Sequence, residues 1–169
     1  MEFSFTTTYD LPALTRMARA LRKTVRRKHS RRMHVFGAVV MVLGVFLMTL
    51  LEEITFRSVV SFLAIAAIGL SLVFEDRLNG FIAQKRMAPG TNHAEAVFGE
   101  EGYTSVTPLG RSEWSYENIL ALAETQRYFV FIFSKNHAQL YDKQNLTGGT
   151  PEEFAAFIKE KTGKDITVV

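Results

Sequence analysis

Cysteine is absent from the 169 residues, which excludes disulfides, thiolate nucleophiles and cysteine-held metals and gives no reason to expect an oxidising compartment. Histidine is scarce: His29, His34, His93 and His137 lie far apart, and none has a partner at metal-ligand spacing. A Gly-x-Ser-x-Gly elbow and a glycine-rich phosphate loop are also missing. Gly148-Gly149-Thr150 precedes a helix start, where turn and cap chemistry accounts for it. The expectation is a chain with no enzymatic activity, no cofactor and no bound metal.

Acidic residues are missing between Arg16 and Arg32, although the chain holds 20 basic and 17 acidic residues in all. Nine basic side chains fill that interval: Arg16, Arg19, Arg22, Lys23, Arg26, Arg27, Lys28, Arg31 and Arg32. The rest of the sequence is therefore net acidic, and the positive charge is one patch. Adhesion to anionic lipid head groups is one reading of these nine residues. The other is that they only orient and solvate their helix. Nucleic acid is not the expected partner, because no aromatic residues interleave with the charge.

Ionisable side chains are also missing from two long apolar stretches, Val35 to Leu51 and Ser58 to Phe74. Seventeen helical residues reach roughly 26 Å, at the short end of what a hydrocarbon core of about 30 Å requires. Backbone groups in hydrocarbon must be satisfied internally, so each run is expected to be a membrane-spanning helix, with Glu52 to Arg57 as the turn between them. The remaining sequence is too short to wrap two helices that are apolar on every face. Basic residues flank the outer ends of the hairpin while Glu52 and Glu53 lie at its turn, which predicts an integral membrane protein with both termini cytoplasmic. A cleaved signal peptide is not expected, since the first run is too long for one and has no small-residue cleavage site. Gly37 and Gly44 on the first span, and Ser61, Ala64, Ala67 and Ser71 on the second, are the expected helix-packing residues, within one chain or between copies in a homo-oligomer. Without intramembrane charge, transport by the hairpin alone is not expected.

Around the hairpin the periodicities divide the chain into five parts. Residues 1–9 alternate as a short strand, expected to join the C-terminal sheet of its own chain or of a swapped partner. Residues 10–33 read as one basic amphipathic helix, with Asp10 as its cap, Pro12 in its first turn and Leu14, Met17, Leu21 and Val25 on its apolar face. Residues 34–74 are the hairpin, and residues 75–90 continue the second helix into the interface through Leu78, Phe81 and Ile82, then stop at Pro89-Gly90. Residues 91–169 change to period two, with strands at His93–Phe98, Tyr103–Thr107, Arg111–Ser115, Ile119–Thr125, Arg127–Ser134 and Ala138–Asp142. Thr150, Pro151 and Glu153 form a capping box that opens a closing helix, and Gly163 stops it. The fold class is α+β: a two-helix transmembrane hairpin plus a small antiparallel sheet or barrel of pleckstrin-homology (PH) type, closed by the C-terminal helix.

Two spans after a basic arm are followed by Glu100, Glu101 and Gly102 before a strand. Then come Trp114, Ile119, Glu124-Thr125, the aromatic strand Tyr128 to Phe133, Lys143 and the Pro151-Glu152-Glu153-Phe154 helix. In this order the chain resembles the YcxB-like family of bacterial membrane proteins. Tyr141-Asp142-Lys143 departs from that family's aliphatic-Pro-Lys turn. The resemblance implies a PH-like domain tethered to the bacterial cytoplasmic (inner) membrane and no known activity. The leading functional expectation is a binding or scaffolding module for a protein partner or anionic lipid, with Arg127, Lys135 and Lys143 as candidate partner surface. The alternatives are an immunity protein against a membrane-acting toxin and, third, an oligomeric channel or transporter component.

Overall fold

The computed structural model describes residues 2–50, 53 and 55–169. Two long apolar helices, α2 (Arg27–Thr49) and α3 (Phe56–Val73), stand apart from an α+β body. Both are long and apolar enough to cross a membrane, and their side chains are left open: α3 buries none, and α2 buries only Ser30 and Gly37. Part of the expected Glu52–Arg57 turn, and the end of the first span at Leu51, fall on residues 51, 52 and 54, outside the described residues.

The body begins with β1 (Phe3–Thr8), which turns Phe3, Phe5 and Thr7 inward. It pairs antiparallel with β2 (His93–Phe98) of the same chain, Phe3 opposite Phe98 and Thr8 opposite His93. After β2 come β3 (Gly102–Thr107), β4 (Gly110–Ser115), β5 (Ala121–Glu124), β6 (Tyr128–Ile132), β7 (Ala138–Asp142), the two-residue β8 (Leu146–Thr147) and, past the closing helix, β9 (Ile166–Val168). The expected single curling sheet or barrel is corrected here. The described residues form two sheets, ordered β4-β3-β2-β1-β8 and β7-β6-β5-β9, and β9 joins β5 in parallel. A 3-10 turn at Tyr116–Asn118, followed by Ile119 and Leu120 outside any strand, breaks the chain between β4 and β5, so β5 starts a new sheet.

Helix α5 (Pro151–Thr162) closes the sandwich. The Thr150 hydroxyl accepts from Glu153 N–H and the Glu153 carboxylate accepts from Thr150 N–H, two donors that the helix start would otherwise leave unsatisfied. Gly163 ends the helix in the left-handed region at φ 64°. Phe154 and Ile158 drive into a core of Phe3, Phe5, Phe98, Phe129, Phe131 and Tyr141 drawn from both sheets.

The other face of the second sheet is covered by α1 (Leu11–Lys23). Ala13, Ala20 and Leu21 pack there on Val130, Ile132 and Leu140, with Met17 and Val25 beside them. This explains why β6 is apolar on both sides: Phe129 and Phe131 face the sandwich core, whereas Tyr128, Val130 and Ile132 face α1. It also corrects the expected 10–33 helix in two respects. The helix breaks at residues 24–26 before α2 begins, and its apolar stripe lies in a protein core.

The segment after the second span forms α4 (Glu75–Arg86), set off from α3 by Phe74. It packs along α1 through Gly80, where an added Cβ would stand 2.8 Å from Thr15 N and 2.9 Å from Thr15 Cα. Leu78, Phe81 and Ile82 point away from this contact and stay exposed.

Candidate functional site

The described residues hold no three-residue His, Asp or Glu cluster arranged for a metal. The buried titratable groups inside the sandwich are phenols. Tyr103 and Tyr141 donate to the same Gln139 Oε1 at 2.7 and 2.5 Å, and Tyr116 donates to Gly99 O at 2.7 Å. Burial pushes all three phenols above their usual range, so they remain protonated hydrogen-bond donors. They serve as core ties.

Polar side chains converge instead at the foot of the hairpin, where α1, α2 and α4 meet. Ser30 Oγ, on the first turn of α2, donates to Glu75 Oε2 at 2.9 Å. His34 Nε2 lies 3.3 Å from the same oxygen and 3.2 Å from Leu72 O. From α1, Arg22 donates to both carboxylate oxygens of Asp76, Nε at 2.6 Å and Nη2 at 2.7 Å. The Asp76 carboxylate holds the Arg22 guanidinium above its usual range. Paired, fork-shaped contacts of this kind fix angle as well as distance. The hairpin is thus bolted to the body.

Each residue expected at a site can now be placed. Of the nine basic residues, Arg22 is committed to Asp76, and Arg26 donates to Lys135 O at 2.5 Å and Asn136 Oδ1 at 2.8 Å. Those two are corrected from lipid contacts to internal struts, because the elbow between α1 and α2 leaves backbone and side-chain acceptors within their reach. Arg16, Lys23, Arg27, Lys28, Arg31 and Arg32 are exposed, and Arg19 is half-buried. On the spans, Gly37 faces Leu72 and Gly44 faces Ile65, and a Cβ added at either would stand 2.5 Å from the facing Cδ1. The expected partners Ser61, Ala64, Ala67 and Ser71 are exposed on another side of α3, a second correction: large aliphatic side chains fill the glycine notches of α2, and the small residue that α3 brings to the contact is Gly69, beside Met41.

The three candidate partner-surface residues do not form one surface. Arg127 and Lys135 lie at opposite ends of β6. Arg127 is held by bonds of 2.7–3.2 Å to the buried Asp142, which raises its pKa. Lys143 is ion-paired to Glu124, donates to Thr125 O at 2.9 Å and sits 4.7 Å from the centre of the Phe129 ring. With its side chain 13% exposed, Lys143 is corrected from a partner contact to a clamp between strand ends. In the Tyr141-Asp142-Lys143 turn, Asp142 also accepts from Gln144 N–H and caps the 3-10 turn that follows.

Sequence reasoning missed Ser30, Glu75, Asp76 and Gly80 as junction residues. Their partners stand 45 (Ser30–Glu75), 54 (Arg22–Asp76) and 65 (Thr15–Gly80) positions away, and only the acidic pair directly after an apolar run could have drawn attention to them.

Residues 98–159 match the family model for YcxB-like proteins. Over this stretch the chain is similar to the YcxB-like family. The YcxB-like part runs from the end of β2 through most of α5, and so contains the aromatic strand, the Lys143 clamp and the Phe154 plug. The junction and both apolar helices lie outside it. No curated protein and no solved structure matches the chain.

Proposed function

We propose that this is an integral protein of the bacterial cytoplasmic membrane, with both termini cytoplasmic, whose PH-like body is a non-enzymatic binding module held rigidly at the membrane surface. The observation that carries the reading is the junction. Two helices of lipid-crossing length are left uncovered by their own chain; α2 is tied at its foot to α4 by Ser30–Glu75, and α4, which follows α3 directly after Phe74, is tied to α1 by Arg22–Asp76. A hairpin built only to tether would need no such bolts.

Charge supports the orientation, since Arg27, Lys28, Arg31 and Arg32 ring the foot while Glu53 and Arg57 lie at the far end. Two packed sheets closed by a C-terminal helix support the PH-like description. The outer face of the five-stranded sheet is uncovered and mixed, with Val97 and Val106 exposed among Glu95, Arg111 and Glu113, a composition suited to a protein partner.

The absence of cysteine makes the orientation directly testable. A Glu53→Cys reporter should react with an impermeant maleimide in intact cells, and Gln126→Cys only after permeabilisation. The reverse pattern would invert the proposed topology. Cross-linked pull-down of the full chain tests the binding role: a reproducible partner lost on Val97→Glu/Val106→Glu substitution is expected, and a partner that these changes leave in place would refute the sheet face.

A further inference from the structure

We propose that the groove between α1 and α4 binds the phosphate of an anionic membrane phospholipid through Arg16, Arg19 and Arg77. The proposal rests on the membrane reading above and gives one patch of that surface a ligand.

Arg16 and Arg19 stand three residues apart on α1 and so share a face of the helix. Arg77 reaches the same groove, of about 340 Å³, from the first turn of α4. The close crossing at Gly80 and Thr15 fixes the two helices, and hence the backbone positions from which the three arginines reach into the groove. Asp76 also lines this groove, but both of its oxygens are occupied by Arg22. Arg16, Arg19 and Arg77 therefore have no carboxylate partner among the described residues. Arg19 Nε is in addition buried without any hydrogen-bond partner. A buried donor left in that condition is destabilising unless a ligand accepts from it.

A second feature selects a lipid over a free phosphate. Phe74, directly before α4, and Leu78, Phe81 and Ile82 on it are exposed by 43 to 47%, at spacings of three and four that place them on one side of the helix next to Arg77. Lys85 covers one edge, its Nζ 4.9 Å from the Phe81 ring centre. Cationic and apolar surfaces thus adjoin, as a phosphate attached to acyl chains requires. The groove lies where such a ligand would be, because Arg77 follows the end of α3 by four residues, or about 6 Å of helix rise.

The test uses the full chain in detergent, with binding of phosphatidylglycerol and phosphatidylcholine compared by native mass spectrometry. Wild type should prefer phosphatidylglycerol. At roughly fivefold per basic residue, R16Q/R19Q/R77Q should lower that affinity by about 100-fold and R77Q alone by about fivefold. The charge-matched control R111Q/K159Q/K164Q, outside both the groove and the basic run, should keep it. An unchanged affinity in the groove variants, or an equal loss in the control, overturns the proposal. Full competition by inorganic phosphate would also overturn it, in favour of a free-anion site. Alkaline carbonate extraction separates the two readings: wild type leaving the membrane overturns the anchor, whereas retention with unchanged lipid preference in R16Q/R19Q/R77Q overturns the groove alone.

Discussion

Replacing Phe154 with alanine should remove a large part of the stability of the β-sandwich. The ring is fully buried, with centroids 4.6 Å from Phe5, 4.9 Å from Phe98, 5.1 Å from Phe129 and 5.4 Å from Phe3. These neighbours belong to strands of both sheets, which hydrogen bonding holds in place, so the walls cannot close over the void. The loss should then approach the upper part of the usual range for this truncation, about 3–5 kcal/mol. Against a typical domain stability of about 5–15 kcal/mol this is a substantial fraction. The single tryptophan, Trp114, lies tilted against Phe133 with ring centroids 4.8 Å apart, packed on the sandwich core, and supplies the signal. Urea titration of the full chain in detergent, followed by Trp114 fluorescence, should show a lower midpoint with unchanged slope. Phe154→Leu should cost roughly half as much or less, because it keeps most of the volume. In a double-mutant cycle, Phe5→Ala and Phe154→Ala should couple by about 0.5–1.5 kcal/mol. A shift in Phe154→Ala equivalent to less than about 1 kcal/mol would mean that α5 is not wedged between the sheets.

Three further outcomes follow from the same structure. Burial raises the folded-state pKa of Tyr103, Tyr116 and Tyr141 above the unfolded value of about 10, so the stability they contribute is fully present below pH ~10 and is lost as pH rises through their higher folded values. Phenolate absorbance should therefore lag for these residues and appear together with loss of β circular dichroism; all five tyrosines titrating near pH 10 in a folded protein would contradict this. Gly80→Val should push α4 off α1, because the added carbons meet Thr15 backbone atoms, at a cost of about 1–3 kcal/mol measured by thermal unfolding. An unchanged midpoint would show that the helices do not cross at that distance. Deleting residues 2–9 removes an interior strand and with it Phe3 and Phe5, and the sandwich should no longer unfold cooperatively; a retained transition would place β1 outside the core.

Local chemistry made much of this fold legible. The strand at residues 3–8, the Asp10 cap, the Thr150–Glu153 box and the six strands from His93 to Asp142 each depend on spacing or capping within a few residues, and each stands where periodicity placed it to within about two residues. The short β8 and β9 escaped notice because two or three residues carry no period. The barrel expectation failed at Tyr116–Asn118, where a single 3-10 turn diverts the chain to a second sheet. The site was less legible. The nine basic residues were visible as a run, yet spacing alone could not separate Arg22 and Arg26, spent on Asp76 and Asn136, from the exposed remainder. Arg77 was visible only as a charge flanking a span.

By itself the sequence determined the two apolar helices, the segregation of charge at their ends, the strand and helix boundaries, and the resemblance of the C-terminal half to YcxB-like proteins. Each of these follows from near neighbours along the chain, where hydrophobic period, caps and charge runs act directly on the backbone. Tertiary structure alone decided which face of α1 is buried, which α3 residues fill the glycine notches of α2, that Lys143 is a clamp, and that Arg22, Ser30, Glu75 and Asp76 lock the hairpin to the body. Those outcomes depend on groups dozens of residues apart competing for the same partners, and only the packed chain brings the competitors together.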